Sequence, residues 1–399
     1  MERLFHIATD EEIKRGETTD VYFVRTKEIL KAKGYDKVNV IAEITVSSLP
    51  EKWPWAVFTG LDEALRLLEG LPIDVYSVPE GTIVRAKDYY GVKIPLVIIE
   101  GPYYEFCIYE TPLLGFLCQA SGVATRAARI RKIVGKDKLL LAFGIRRMHP
   151  ALAPMLDRAA YIGGFDGVSS LIGAKTIGKK PMGTMPHALI IVMGDQVKAW
   201  KAFDEVMPPE VPRIMLVDTF YDEKIEAVMA AEALKDRIYG VRLDTPSSRK
   251  GNFADIIREV RWELDIRGHK NVKIIVSGGV NEHNVKELAD AGADGFGIGT
   301  YVSNAPVVDL AMDIVAVEGK PVAKRGKFSG RKVVWRCPND LEYVVTPWNA
   351  EPPKCPKCGS KMENILVKYI ERGKLIRKLP SVDEIRRYVL EQLSKVSEL

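Results

Sequence analysis

The 399-residue chain is expected to fold as an α/β protein. The predicted architecture is an irregular (β/α) barrel with a β-rich N-terminal domain and a small zinc-knuckle-like C-terminal domain. Three observations predict it. In the middle of the chain, short apolar runs alternate with longer helical patterns, which is how βα units and a parallel sheet read. The last two runs, "VKIIVSGG" and "GFGIGT", end in glycine-rich turns of the kind that close over phosphate groups at the top of a barrel. The flanks differ in texture: short β-rich runs before, and a basic, cysteine-bearing stretch after.

The first domain is placed at residues 1–112. Its runs "VNVIAEITVSS", "IDVYSVPEGTIVRA" and "IPLVIIEG" are broken by Pro and Gly, as strands of a small sheet are. One amphipathic helix, "GLDEALRLLEG", lies among them. The barrel is placed at residues 113–319, with seven strands: 138–144, 165–170, 180–184, 213–219, 238–244, 272–278 and 295–300. Helices such as "DEKIEAVMAAEALKD" and "NFADIIREVRWELDI" fill the gaps. A doubly wound open sheet is the alternative. The six apolar residues "ALIIVM" (188–193) suit either a strand or a helix; the helical composition of 195–206 favours a helix. The third domain, residues 320–399, holds "KPVAKRGKFSGRK", the cysteines and a closing amphipathic helix, "SVDEIRRYVLEQLSKV".

Composition excludes several classes. Apolar residues are 47% and charged residues 28%, as in soluble globular chains. A net charge of +5 spread over 58 basic and 53 acidic side chains is too mild to argue a nucleic-acid partner. No run of about 18 apolar residues is present, so no membrane span is predicted, and the first residues lack an apolar signal core. Five cysteines, three of them clustered near the end, suggest a reducing cytoplasm and metal chemistry rather than a disulfide framework.

Polar residues at the C-terminal ends of barrel strands read as site residues, because the loops at that face build the pocket. Here the ends deliver Phe143 with Arg146 and Arg147, then Asp218 and Thr219, Arg242 and Asp244, Ser277 with Gly278 and Gly279, and Gly299 with Thr300. The glycines either make tight turns only or let the backbone approach an anion; two such turns one βα unit apart favour the anion. Arg242 and Asp244, two apart on a strand, share a face. They form a structural ion pair, or they bind an anionic oxygen and ribose hydroxyls. Phe143 alone reads as core, and Tyr22 alone as an ordinary aromatic of the β zone. His187, in "GTMPHAL", is either a packed histidine or one with a chemical task.

Three thiols cluster in "CPND" (Cys337) and "CPKCG" (Cys355, Cys358). In a four-thiolate knuckle the remaining position would be a cysteine; here it is Asp340, and no histidine follows His283. Carboxylate ligates zinc less often than thiolate or imidazole. Bound zinc and a knuckle held by packing alone are both open.

Taken in order, "TTDVYF", "SGVATRAARI", "FGIRR", "GGFDGVSS", "GTMPHA", "LVDTF", "GVRLDTP", "SGGV" and "FGIGT" resemble the nicotinate phosphoribosyltransferase family, most of all its short archaeal-type members. The resemblance spans about residues 15–375. It implies an enzyme that moves a phosphoribosyl group from phosphoribosyl pyrophosphate (PRPP) to nicotinate, in a homo-oligomer built on dimers, with no nucleic-acid or membrane partner. It implies that Phe143 and Tyr22 sandwich the pyridine ring, Tyr22 coming from a neighbouring subunit, and that Thr184 and Arg242 hold the nicotinate carboxylate. Ser169 stands where nicotinamide-using relatives place an aspartate, which would repel that carboxylate. Arg146, Asp218, Ser277, Gly278, Gly279, Gly299 and Thr300 match PRPP and phosphate positions. The catalytic roles fall on His187, Arg242 and Asp244, the last at the ribose hydroxyls. His187 also matches a histidine that ATP phosphorylates. Mg2+ accompanies PRPP; ATP and a structural Zn2+ held by Cys337, Asp340, Cys355 and Cys358 are the further expected cofactors. Quinolinate phosphoribosyltransferase, and a non-enzymatic zinc-ribbon protein that binds nucleic acid, are the alternatives.

Overall fold

The computed structural model describes residues 4–399, and its contacts divide them into two compact units. One is Arg126–Ala305; the other takes the chain up to Thr125 and from Pro306 onward. The long helix Glu110–Val134 carries the chain from the second unit into the first.

In the unit Arg126–Ala305 the elements run β1 (Leu139–Ala142), α1 (Ala153–Ile162), β2 (Gly167–Val168), α2 (Leu171–Thr176), α3 (His187–Met193), α4 (Gln196–Val206), β3 (Ile214–Leu216), α5 (Glu223–Leu234), β4 (Gly240–Leu243), α6 (Phe253–Ile266), β5 (Lys273–Ser277), α7 (Val285–Asp290) and β6 (Gly295–Ile298). The six strands form one parallel sheet in the order β2-β1-β6-β5-β4-β3, curled into half a barrel. Its register is set by pairs such as Leu139 with Gly295, Ile275 with Gly295, and Lys273 with Gly240. Buried on both faces, these strands are continuous apolar runs, as parallel sheets require.

Two expectations need correction here. The predicted strand at 180–184 is not a strand. It runs extended beside β2 with one ladder-like bond, Met182 N–H to Val168 O at 2.8 Å. Pro181 has no N–H to give and Gly183 no side chain to pack, so the ladder stops and the barrel stays open between β2 and β3. The predicted helix after His187 forms, but Gly194 in the left-handed region (φ 72°) ends α3, and the Asp195 side chain caps α4 at Lys198 N–H. Side-chain caps also start α5 (Asp222) and α6 (Asn252).

The second unit is built on a seven-stranded sheet that interleaves both ends of the chain. In order across it lie Lys320–Pro321, Asp309–Val317, Asn39–Ser48, Pro95–Pro102, Asp74–Ser77, Val367–Glu371 and Lys374–Leu375, neighbours pairing antiparallel. The core on this sheet includes Ile44, Val75, Ile99, Phe58, Phe106 and Leu117, with Leu61, Leu65 and Leu68 from one face of the helix Leu61–Leu68. Gly60 starts that helix at φ 87°, and a Cβ there would collide with the carbonyl of Phe116. A smaller sheet (Lys332–Arg336, Tyr343–Pro347, Glu363–Asn364) carries the cysteines, and the terminal helix Val382–Leu393 begins in a capping box of Ser381 and Glu384. Tyr22 does not belong to the β structure. It sits on the helix Val21–Ala32, which buries only Phe23 and leaves the tyrosine more than half exposed.

Candidate active site

The half-barrel gathers its polar residues at the C-terminal ends of its strands. Arg242, near the end of β4, is buried, and its guanidinium spans two elements. Nη1 donates to Ser277 Oγ (3.0 Å) at the end of β5, and Nη2 to the carbonyl of Met185 (3.0 Å), two residues before His187. Nη1 also lies 3.4 Å from Asp244 Oδ2, so the pair two apart on the strand does meet. Burial pulls the Arg242 pKa below the ordinary arginine range, Asp244 and Asp218 oppose this, and the charge of Arg146 adds to it. Ser277 Oγ in turn donates to Asp244 Oδ1 at 2.7 Å. One chain of polar contacts thus links the segment before α3 with the ends of β4 and β5.

His187 opens α3. Its Nδ1 lies 3.1 Å from Thr219 Oγ1, and its Nε2 faces two carboxylates, Asp218 Oδ1 at 3.6 Å and Asp244 Oδ2 at 4.0 Å. The ring is about one-third exposed while the Asp218 carboxylate is almost wholly covered. Asp218 Oδ2 accepts the Asp244 backbone N–H at 2.7 Å, whereas the buried Oδ1 has no hydrogen-bond partner. Burial first, and the neighbouring Asp244 charge further, push the Asp218 pKa up to about 6, with His187 pulling against them. An orphaned carboxylate oxygen beside a second carboxylate fits a cation.

Behind Thr219 stands a residue the sequence reading missed. Glu226 on α5 is fully buried, and its carboxylate accepts three successive backbone N–H groups: Thr219 (3.1 Å), Phe220 (2.7 Å) and Tyr221 (2.8 Å). It fixes the loop after β3 and with it the hydroxyl that faces His187. Thr245 adds a second tie, donating to Glu223 Oε1 at 2.6 Å.

The glycine turns lie at the same end. Gly278 and Gly279 follow β5 with φ of 82° and 76°, a left-handed pair that side chains would strain. Gly299 and Thr300 follow β6, opening the short helix Thr300–Ser303. Phe143, half-buried after β1, packs its ring on Gly297, where a Cβ would collide with it. Arg146 is exposed in the turn Ile145–Arg147; Ser169 follows β2 and Thr184 lies in the extended segment, both half-buried. Tyr22 belongs to the other unit. Within the half-barrel, Arg242, Asp244, Ser277, Asp218 and His187 are linked by direct contacts, while among the described residues no side-chain hydrogen bond ties Phe143, Arg146 or Ser169 into that chain.

In the other unit, the donor atoms of Cys337, Asp340, Cys355 and Cys358 all lie within 4.8 Å of one another. Cys337 Sγ is 3.5 Å from Cys358 Sγ, and Asp340 Oδ2 is 3.3 Å from Cys355 Sγ. Four donors so close fit the edges of a tetrahedron around one metal ion.

Comparison with known proteins agrees with this geometry. Two family models match: the C-terminal domain of quinolinate phosphoribosyl transferase over residues 123–313, and its N-terminal domain over residues 20–121. The half-barrel with polar strand ends is therefore that of a pyridine-nucleotide phosphoribosyltransferase. The nicotinate phosphoribosyltransferase of Mycobacterium tuberculosis (strain H37Rv) is 32% identical, over 83% of this chain and 71% of that protein. That of Bacillus subtilis (strain 168) is 27% identical, over 95% and 89%. The chain belongs to the nicotinate phosphoribosyltransferase family. Among solved structures, nicotinate-nucleotide pyrophosphorylase from Pyrococcus furiosus is 56% identical with a TM-score of 0.94, covering 99% of both chains. Human nicotinic acid phosphoribosyltransferase shares the fold at a TM-score of 0.74 and 20% identity, over 95% and 94%.

Proposed function

We propose that this chain transfers the phosphoribosyl group of PRPP to nicotinate, giving nicotinate mononucleotide and pyrophosphate, a step of NAD salvage. The observation that carries the reading is the linked set Arg242, Asp244, Ser277, Asp218 and His187 at the strand ends of a half-barrel. In the reaction the bond from ribose C1 to the pyrophosphate oxygen breaks and the pyridine nitrogen bonds to C1. Positive charge develops on the sugar, so the protein's task is to position the two partners and to balance charge. Asp244 is assigned to the ribose hydroxyls, and Ser277, Gly278, Gly279, Gly299 and Thr300 to the 5′-phosphate. Arg146 is assigned to PRPP. Asp218 and Asp244 are the carboxylates that would hold magnesium arriving with PRPP, and the ion would supply charge neutralisation at the leaving pyrophosphate.

For the acceptor, Arg242 and Thr184 are assigned to the nicotinate carboxylate and Phe143 to one face of its ring. The second face is assigned to Tyr22 of a neighbouring copy in a dimer-based oligomer, which its exposure permits. Ser169 in place of an acidic residue favours the anionic acid over the amide. His187 is assigned as an acceptor of the ATP γ-phosphoryl group, ADP leaving. Its partial exposure and its fixed Nδ1 contact support that role. The cysteine cluster is assigned to structural zinc, since three thiolates and a carboxylate about 2.0–2.3 Å from an ion reproduce the observed spacing. No helix among the described residues is long and apolar enough to cross a membrane; the proposal places the enzyme in the cytoplasm.

One assay tests the reading. The chain is incubated with PRPP and magnesium, and with nicotinate, nicotinamide or quinolinate in turn, with mononucleotide as the readout. Turnover with nicotinate alone supports it. Preferred turnover with quinolinate would assign the chain to the sister activity, and mononucleotide from none of the three would sink both.

A further inference from the structure

The half-barrel holds a cation that the family resemblance leaves without a role. Lys250 closes the short turn of helix Ser247–Lys250 that follows β4, and its side chain is half-buried. The ammonium donates to the carbonyl of Gly278, the first residue of the double-glycine turn. It lies 3.6 Å from where a Cβ on Gly278 would stand and 4.0 Å from the same point on Gly279. That Gly278 point is also 3.2 Å from Asp244 Oδ1. The face of the Phe253 ring supports the ammonium from another side, 4.1 Å from its centroid. Of the three ammonium donors, one goes to Gly278 O, and no other hydrogen-bond partner is present among the described residues. The left-handed backbone accounts for both glycines, but beside Gly279 the ammonium is the only described atom within 4 Å of where a Cβ would stand, so the space next to the charge is open on that side.

We propose that Lys250 binds the phosphorylated ribose substrate, its ammonium taking an anionic oxygen of PRPP in the space open beside Gly279. The site is thereby a two-part anion cradle, backbone on one side and a single movable charge on the other. Burial holds the lysine pKa below its usual range, with Asp244 and Asp218 acting the other way, and an arriving anion would likewise favour the charged ammonium. The inference rests on the reading of this chain as a PRPP-using transferase.

The test measures PRPP binding by calorimetry beside turnover, in the wild type, Lys250→Met and Lys250→Arg. Loss of a charge-assisted hydrogen bond predicts a roughly 10- to 100-fold weaker PRPP Kd in Lys250→Met. The nicotinate KM and the Tm should hold in that variant, and affinity should be largely kept in Lys250→Arg. An unchanged PRPP Kd in Lys250→Met overturns the proposal. So does a parallel loss of PRPP affinity, nicotinate affinity and Tm, which marks a structural tie. PRPP binding that depends on Lys250 in a chain making no mononucleotide would refute the transferase reading and leave the lysine assignment standing.

Discussion

His187 is oriented by Thr219: the ring Nδ1 and the threonine Oγ1 are 3.1 Å apart, and the backbone of that threonine is held by Glu226. The imidazole is fixed through one nitrogen and presents the other to two carboxylates.

Thr219→Val keeps the volume and removes the hydroxyl. A lost hydrogen bond of ordinary strength predicts a fall of about five- to tenfold in kcat/KM for PRPP with ATP present, and Thr219→Ser should restore it. Glu226→Gln should mimic Thr219→Val. Its amide can keep one oxygen toward Phe220 and Tyr221 but presents an N–H to the N–H of Thr219. One buried donor is then unpaired, at a cost of roughly 1–3 kcal/mol measured by denaturant unfolding. Kinetics of Thr219→Val equal to wild type would show that the ring is held by packing.

Substrate choice is expected to turn on Ser169. Ser169→Asp places a carboxylate beside the assigned site of the nicotinate carboxylate, and like charges at close range repel. The nicotinate KM should rise by at least about tenfold while the PRPP KM changes little. Steady-state kinetics varying each substrate separates the two, and an unchanged nicotinate KM would remove Ser169 from the site.

Asp218 makes stability depend on pH in the metal-free chain. Its folded pKa of about 6 lies above the unfolded value near 4, so between them the folded state holds more protons. Stability therefore falls as pH rises through that window, and the cost is complete above pH ~6. Asp218→Asn keeps an acceptor for the Asp244 N–H and removes the buried charge. It should melt higher than wild type at pH 8, lose that advantage by about pH 4, and lose activity throughout. Thermal melts across that range check it; equal Tm values at pH 8 would contradict it.

Zinc, measured by elemental analysis, is expected at about one ion per chain. Cys358→Ser should lose it and lower the Tm, and chelation of the wild type should loosen the segment around Cys337 before the half-barrel. A metal-free preparation of unchanged stability would show a knuckle held by packing, with Asp340 and Cys355 as a simple hydrogen-bonded pair.

The parallel strands were legible because a strand buried on both faces reads as an apolar run, and polar residues interrupt it only where it opens onto a site. Asp218, Arg242, Asp244 and Ser277 were found that way, and the structure joins them. Glu226 was not legible. In "DEKIEAVMAAE" it resembles the other acidic residues of its helix, and only the fold of the loop before it creates the three N–H groups that justify burying a carboxylate. The segment 180–184 misled for the opposite reason: its apolar residues and position suit a strand, but pairing needs a donor that Pro181 lacks. Val21 to Val24 look strand-like one by one, yet they start a helix whose only buried side chain is Phe23. Lys250 carries no signal in sequence beyond a basic pair, since its meaning lies in the two glycines that meet it.

The interleaved sheet has a consequence for how a ribosome must deliver this protein. Strand Asn39–Ser48 pairs on one side with Pro95–Pro102 and on the other with Asp309–Val317. The second partner is synthesised about 260 residues later, which at 5–20 residues per second is roughly 10–50 s. Through that interval the half-barrel can emerge and close its own ladder, while a long apolar strand waits with one edge bare. A bare edge is a template for pairing with another chain. The nascent polypeptide is therefore open to aggregation through most of translation, until strand Asp309–Val317 covers that edge.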